Sequence, residues 1–200
     1  MNNTLTFDIG TDTIKEMNSI SASIDNVYGE QMSRVISNLK TSVDRFKKYS
    51  TMGVIGKMLN SSLEIEANIT ISVMNFETYL NKGANISEHL ERQYKMYGEM
   101  YTRLNQIHDK FENDITTIED LIVNSGASDS DIQRLVRKKN DLISAQTLCN
   151  VTSIQYDLSK ENTAILIDKF RSIEQVLKPA ISQNLKIGSS DFISSISKMF

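Results

Sequence analysis

Covalent or metal chemistry in this chain would have to start from Cys149, His89, His108 and a scatter of carboxylates. A lone cysteine excludes an intramolecular disulfide and a dithiol redox pair within one chain. Cys149 sits in an apolar arc, where it is expected to behave as a small hydrophobe. The two histidines are nineteen residues apart, far from the i, i+3 or i, i+4 spacing that sets two ligands on one helical face. Neither is expected to hold a metal alone. His108 reads as a hydrogen-bonded packing residue, with a pH-sensitive seam as the alternative. Glu64/Glu66 and Glu119/Asp120 point away from each other on a helix. The sequence contains no G-x-x-x-x-G-K-[ST], G-x-S-x-G, H-E-x-x-H or paired-cysteine motif. The expectation is a protein that is not an enzyme and uses no cofactor and no metal.

Two basic clusters remain as candidate binding patches. "QRLVRKKN" supplies Arg134, Arg137, Lys138 and Lys139. In an antiparallel hairpin these cations face Glu112, Asp114, Glu119 and Asp120, so cross-helix pairing competes with a phosphate- or lipid-binding patch. "RFKKYSTMGVIGKML" places Arg45, Lys47 and Lys48 before an apolar stretch. That is a candidate membrane-surface contact, or a helix C-terminus followed by a packed loop.

The elements that must position these groups are helices. One proline, eight glycines and no tryptophan leave few breaks. Ile69, Val73, Phe76, Leu80, Gly83, Ser87, Leu90, Tyr94, Tyr97, Tyr101, Leu104, His108, Phe111, Ile115, Ile118 and Ile122 follow one another at alternating steps of four and three. This heptad seam predicts a single helix over about 61–124 with a soft point at Gly83. Asn85 and Glu88 resemble a capping box, but Leu80 and Leu90 keep one phase across them. The tyrosines are therefore expected in the seam rather than around a ligand.

Gly126 suits a helix C′ position, and Ser128 with Asp131 suits the start of the next helix, about 129–177. That helix is apolar over a wide arc, so it needs two neighbours: the returning seam helix and an N-terminal helix. Upstream, Thr11 or Asp12 would cap a helical pattern running to about 49, with a break or stutter at Gly29. Pro179 is expected to kink or restart the chain. The fold class is thus all-α, an elongated bundle of long antiparallel helices with coiled-coil packing. It divides into an extension (1–10), an N-terminal helix or helix pair (11–49), a hairpin (61–177) and a kinked tail (178–200).

With 40% hydrophobic and 24% charged residues the chain is expected to fold, and a net charge of -3 disfavours nucleic acid as a partner. "MNNTLTFDIG" lacks the pattern of a secretory signal, and no window approaches a membrane span, so a cytoplasmic location is expected. Without a secretory route, the Asn-x-Ser/Thr triplets at Asn60, Asn68, Asn85 and Asn150 carry no meaning. The partners expected are proteins, or a second copy, meeting helical surfaces, with peripheral membrane contact as a further option.

Three segments, "YGEQMSRVISNLKTSVDRFKKYSTMGVIGKML", "HLERQYKMYGEMYTRL" and "VTSIQYDLSKENTAILIDKFRSIEQVLKPAISQ", together resemble the TelA-like toxic-anion (tellurite) resistance family. The likeness rests on Phe46-Lys47-Lys48 at a helix end, on Lys95-Met96-Tyr97 within a long helix, and on a third helix ending near a proline. It implies an all-helical cytoplasmic stress protein without a catalytic signature. A structural coiled coil, of phage or envelope type, would show the same heptads. A helical-bundle membrane-acting toxin would need a longer apolar hairpin than "TMGVIGKML".

Overall fold

The structure is a computed structural model that describes residues 8–21, 26–52, 60–182 and 200. It is all-α. The helices are α1 (Thr11–Ser21), α2 (Val27–Ser50), α3 (Ser62–Asn124) and α4 (Asp129–Ser182).

Local chemistry sets their ends. Ser61 Oγ accepts the Glu64 N–H at 3.1 Å and caps α3. At the far end Gly126 takes a left-handed φ of 60°, which lets the chain leave α3. Ser128 then accepts the Asp131 N–H at 3.3 Å and donates to the Asp131 carboxylate at 2.8 Å, starting α4. These turn residues act as their sequence implies. As the unbroken phase predicted, α3 passes through Asn85 and Glu88.

Three expectations need correction. The N-terminal break lies before Val27, not at Gly29, which is buried within α2. Its missing side chain leaves room for Asn26, whose carboxamide fills the space a Cβ would need. Thr11 opens α1 rather than capping it: the first turn is held by Ile14 N–H to Gly10 O at 3.0 Å, and Gly10 adopts φ 76°. Finally, α4 does not restart at Pro179, one of the two outcomes expected there, but continues through it to Ser182. Residues 53–59, in the expected apolar connection, and 183–199, in the tail, lie outside the described residues.

Contacts divide the chain into two compact units that cut across the long helices rather than between them. One unit comprises residues 1–25 and 94–161. Its core is formed by Met17 and Ile20 of α1, Tyr97, Leu104, Ile107, Phe111 and Ile118 of α3, and Leu135, Leu142, Cys149 and Tyr156 of α4. Here α3 and α4 run antiparallel, as shown by Ser153 to Asn105 at 3.1 Å and Lys139 to Glu119 at 3.3 Å. Between them α1 is fastened by Tyr156 Oη donating to Ile20 O at 2.8 Å.

The other unit comprises residues 26–93 and 162–200. Its core joins Met32, Val35, Leu39, Val43 and Phe46 of α2 with Phe76, Leu80 and Leu90 of α3 and Phe170, Ile173 and Leu177 of α4, and Phe200 packs against it. Phe46 and Phe76 meet at 6.0 Å between ring centres, and Arg171 reaches Glu91 at 2.7 Å.

The heptad seam is half right. Its seven-residue track Phe76, Gly83, Leu90, Tyr97, Leu104, Phe111 and Ile118 is buried throughout. The companion track is buried at Leu80 and Ser87, but Tyr101, His108, Ile115 and Ile122 are half-buried and Tyr94 is exposed at 38%. In the first unit α1 closes the Ile107 side of α3, so the core centres on the Leu104 track and the tyrosine edge turns outward. A straight helix also drifts about 20° per heptad from a strict 3.5 repeat. Tyr94 instead lies beneath Lys160, whose Nζ is 5.7 Å from the ring centre.

Candidate interaction surface

Each basic cluster is only partly taken up by its own unit. Lys139 pairs with Glu119 at 3.3 Å, as cross-helix pairing anticipates. Lys138 is half-buried and donates to Thr11 Oγ1 at 3.0 Å, so it secures α1 instead of facing solvent. Arg134 and Arg137 are exposed. In the other unit Lys47 and Lys48 occupy the last turn of α2, where cations complement the helix dipole. The Lys47 carbonyl accepts the Thr51 N–H at 3.0 Å and its hydroxyl at 2.7 Å. Lys48 lies 5.5 Å from the Tyr49 ring centre, and Arg45 is exposed. The stretch this cluster would present to a membrane falls largely within 53–59.

Cys149 is fully buried and its thiol donates to Leu104 O at 3.3 Å. Burial pushes its pKa up, which holds the sulfur as the unreactive thiol. His89 stacks on Tyr28 with ring centres 4.4 Å apart and accepts from Arg92 through Nδ1 at 3.1 Å. His108, Asp109 and Glu112 bring three ligand-type atoms within 4.8 Å of one another. Sequence spacing missed that group because it sought a second histidine, whereas i, i+4 from His108 is a glutamate. Both carboxylates are exposed, and solvated acids on a helix surface gather in this way without a metal.

Charge is also satisfied between α1 and α3. Glu16 accepts from Lys110 at 2.9 Å and from Arg103 at 3.1 Å. The Lys110 hydrogen bond is the largest of the effects that hold its carboxyl below the usual glutamate range. Two open grooves flank the helices. One of about 570 Å³ is bordered by Glu16, Lys95 and Arg103, and one of about 560 Å³, in the other unit, by Glu30, Arg34 and Asn162. Both are open at the surface, unlike the cavity that encloses a small molecule.

The surface that sequence reasoning missed is the outer face of α4. Its wide apolar arc was expected to be covered by two neighbours. The side chains that meet α1 and α3, namely Lys138, Leu142, Cys149, Ser153 and Tyr156, all lie on one half of the helix. Opposite them Val136, Ile143, Leu148, Val151, Ile154 and Leu158 remain between 38% and 54% exposed. At 100° per residue Val136, Ile143, Ile154 and Leu158 fall within a narrow stripe, with Val151 beside them and Leu148 at its rim. Residues 142–156 carry no charged side chain, so this face is apolar and neutral over about 22 Å of helix. The signal was in the sequence: no single 3.6-residue face contains both Tyr156 and Leu158.

Comparison with protein-family models, with curated proteins and with solved structures finds no match.

Proposed function

We propose that this chain acts by binding rather than by turnover, as a non-catalytic helical scaffold or stress protein of the toxic-anion (tellurite) resistance type, working in the cytoplasm. The observation that carries the binding reading is the outer face of α4. A run of half-exposed aliphatic side chains without charge on an otherwise solvated helix is the composition of an interface core, not of ordinary surface. The resistance type rests on the resemblance of the three segments. Burial of Cys149 accords with a role for the thiol in packing rather than in electron transfer. Among the described residues no helix is long and apolar enough to cross a membrane, which fits binding at a surface.

The test is tellurite tolerance in cells with the gene deleted, restored, restored as Cys149→Ser, and restored as Ile143→Glu/Ile154→Glu. Protection should survive Cys149→Ser and disappear with the double glutamate variant. Loss through Cys149→Ser alone would overturn the non-catalytic reading. The seven-residue repeat of buried positions in α3 favours a second reading, a structural coiled-coil protein. A deletion without a tolerance phenotype would select it.

A further inference from the structure

The geometry points to a second copy of this chain as the occupant of the outer face of α4, meeting it antiparallel across a two-fold axis. This rests on the binding reading above and names its partner. Three observations carry it. First, the face is neutral between Leu142 and Tyr156, so two identical faces can meet without like charges opposed. That is the condition a self-complementary two-fold interface must satisfy.

Second, the charges that bound the run are unequal. With Lys138 bonded to Thr11 and Lys139 paired with Glu119, its N-terminal side holds Arg134 and Arg137 against Asp141, and its C-terminal side holds Asp157 and Glu161 against Lys160. A parallel pair would set the basic ends together, whereas an antiparallel pair sets each basic end beside the other copy's acidic end. With the axis near residue 149, Ile143 of one copy comes beside Ile154 of the other.

Third, the area suffices. Six aliphatic side chains at about half exposure present on the order of 500 Å² in each copy, and the exposed Asn140, Ser144, Thr147, Asn150 and Gln155 extend the patch. Together they approach the roughly 800 Å² per partner of a standard interface.

Sedimentation equilibrium on the full chain should give twice the monomer mass, and Ile143→Glu/Ile154→Glu should return it to the monomer with an unchanged helical circular dichroism spectrum. The direction is read separately by disulfide trapping in a Cys149→Ser background. Thr147→Cys, close to the axis, should cross-link to itself, and Gln133→Cys, far from it, should not. Equal trapping at both positions would mean parallel helices and would overturn the antiparallel arrangement. A wild-type chain that stays monomeric at about 100 µM, weaker than any specific dimer of this area should be, would overturn the dimer. If the glutamate variant nonetheless loses protection in cells, the binding reading stands with another protein as partner. Retained protection together with a monomeric wild type would remove both.

Discussion

Phe170 of α4 occupies the space that a side chain at Gly83 of α3 would need: three atoms of its ring stand within 2.9 Å of where the Cβ would be. Glycine in a helix interior costs about 0.5–1 kcal/mol relative to alanine. Here that cost admits a fully buried ring. Gly83 is thus a packing residue in the core rather than the soft point its position suggests. Gly83→Ala should destabilise by roughly 1–3 kcal/mol, because the ring has to shift within a filled core. At Gly98 nothing among the described residues lies within 4 Å of an added Cβ, so Gly98→Ala should stabilise by about 0.5–1 kcal/mol. Urea melts of the two variants check the opposite signs.

Cys149 should be inert while the protein is folded. Its sulfur is fully buried, bonded to the Leu104 carbonyl, and raised in pKa by burial. At pH 8 an aromatic disulfide reagent should label it only at the rate at which the unit opens, and rapidly in denaturant. Immediate labelling of the native chain would contradict this placement.

Glu16 gives an acid-side dependence of stability. Lys110 and Arg103 favour its carboxylate in the folded state, so its folded pKa lies below the usual value. The contribution is therefore present above the ordinary glutamate pKa of about 4.3 and is lost as pH falls through the lower folded value. Both cations are more than half exposed, so each pair is worth only about 0–1 kcal/mol. Glu16→Gln should melt slightly below wild type at pH 7, and the two curves should converge below about pH 4. Thermal melts from pH 3 to pH 7 decide it.

How much was legible in the sequence depends on what each residue type constrains. Ser61, Gly126, Ser128 and Asp131 act through bonds to their own backbone neighbours, so helix ends could be read locally. The length of α3 was legible because an unbroken phase admits no loop. Which residues of the wide arc of α4 would be covered was not legible. That depends on where α1 settles, and the choice is made by distant contacts such as Tyr156 to Ile20 and Lys138 to Thr11. For the same reason the basic cluster at 134–139 looked freer than it is, since Lys138 is spent on a hydroxyl 127 residues away.

Tyr94 and Tyr97 differ by one helical turn and should differ sharply in energy. Both belong to the heptad pattern, and a strict seam would bury both alike. Tyr97 is buried against Tyr156, with ring centres 5.8 Å apart. Tyr156 in turn holds the end of α1 through its hydroxyl. Removing the Tyr97 ring therefore leaves a cavity beside the bond that ties α1 down, and Tyr97→Ala should cost about 2–5 kcal/mol. The exposed Tyr94 loses only a cation–π contact with the half-buried Lys160, so Tyr94→Ala should cost less than about 1 kcal/mol. If α1 docks as described, Tyr156→Phe should cost an intermediate amount, about 0.5–1.5 kcal/mol for a single buried hydrogen bond. It should also raise hydrogen exchange in α1 above that in the Leu104 turn of α3. Equal losses at Tyr94 and Tyr97 would restore the symmetric seam and would mean that α1 does not close the Ile107 side of α3.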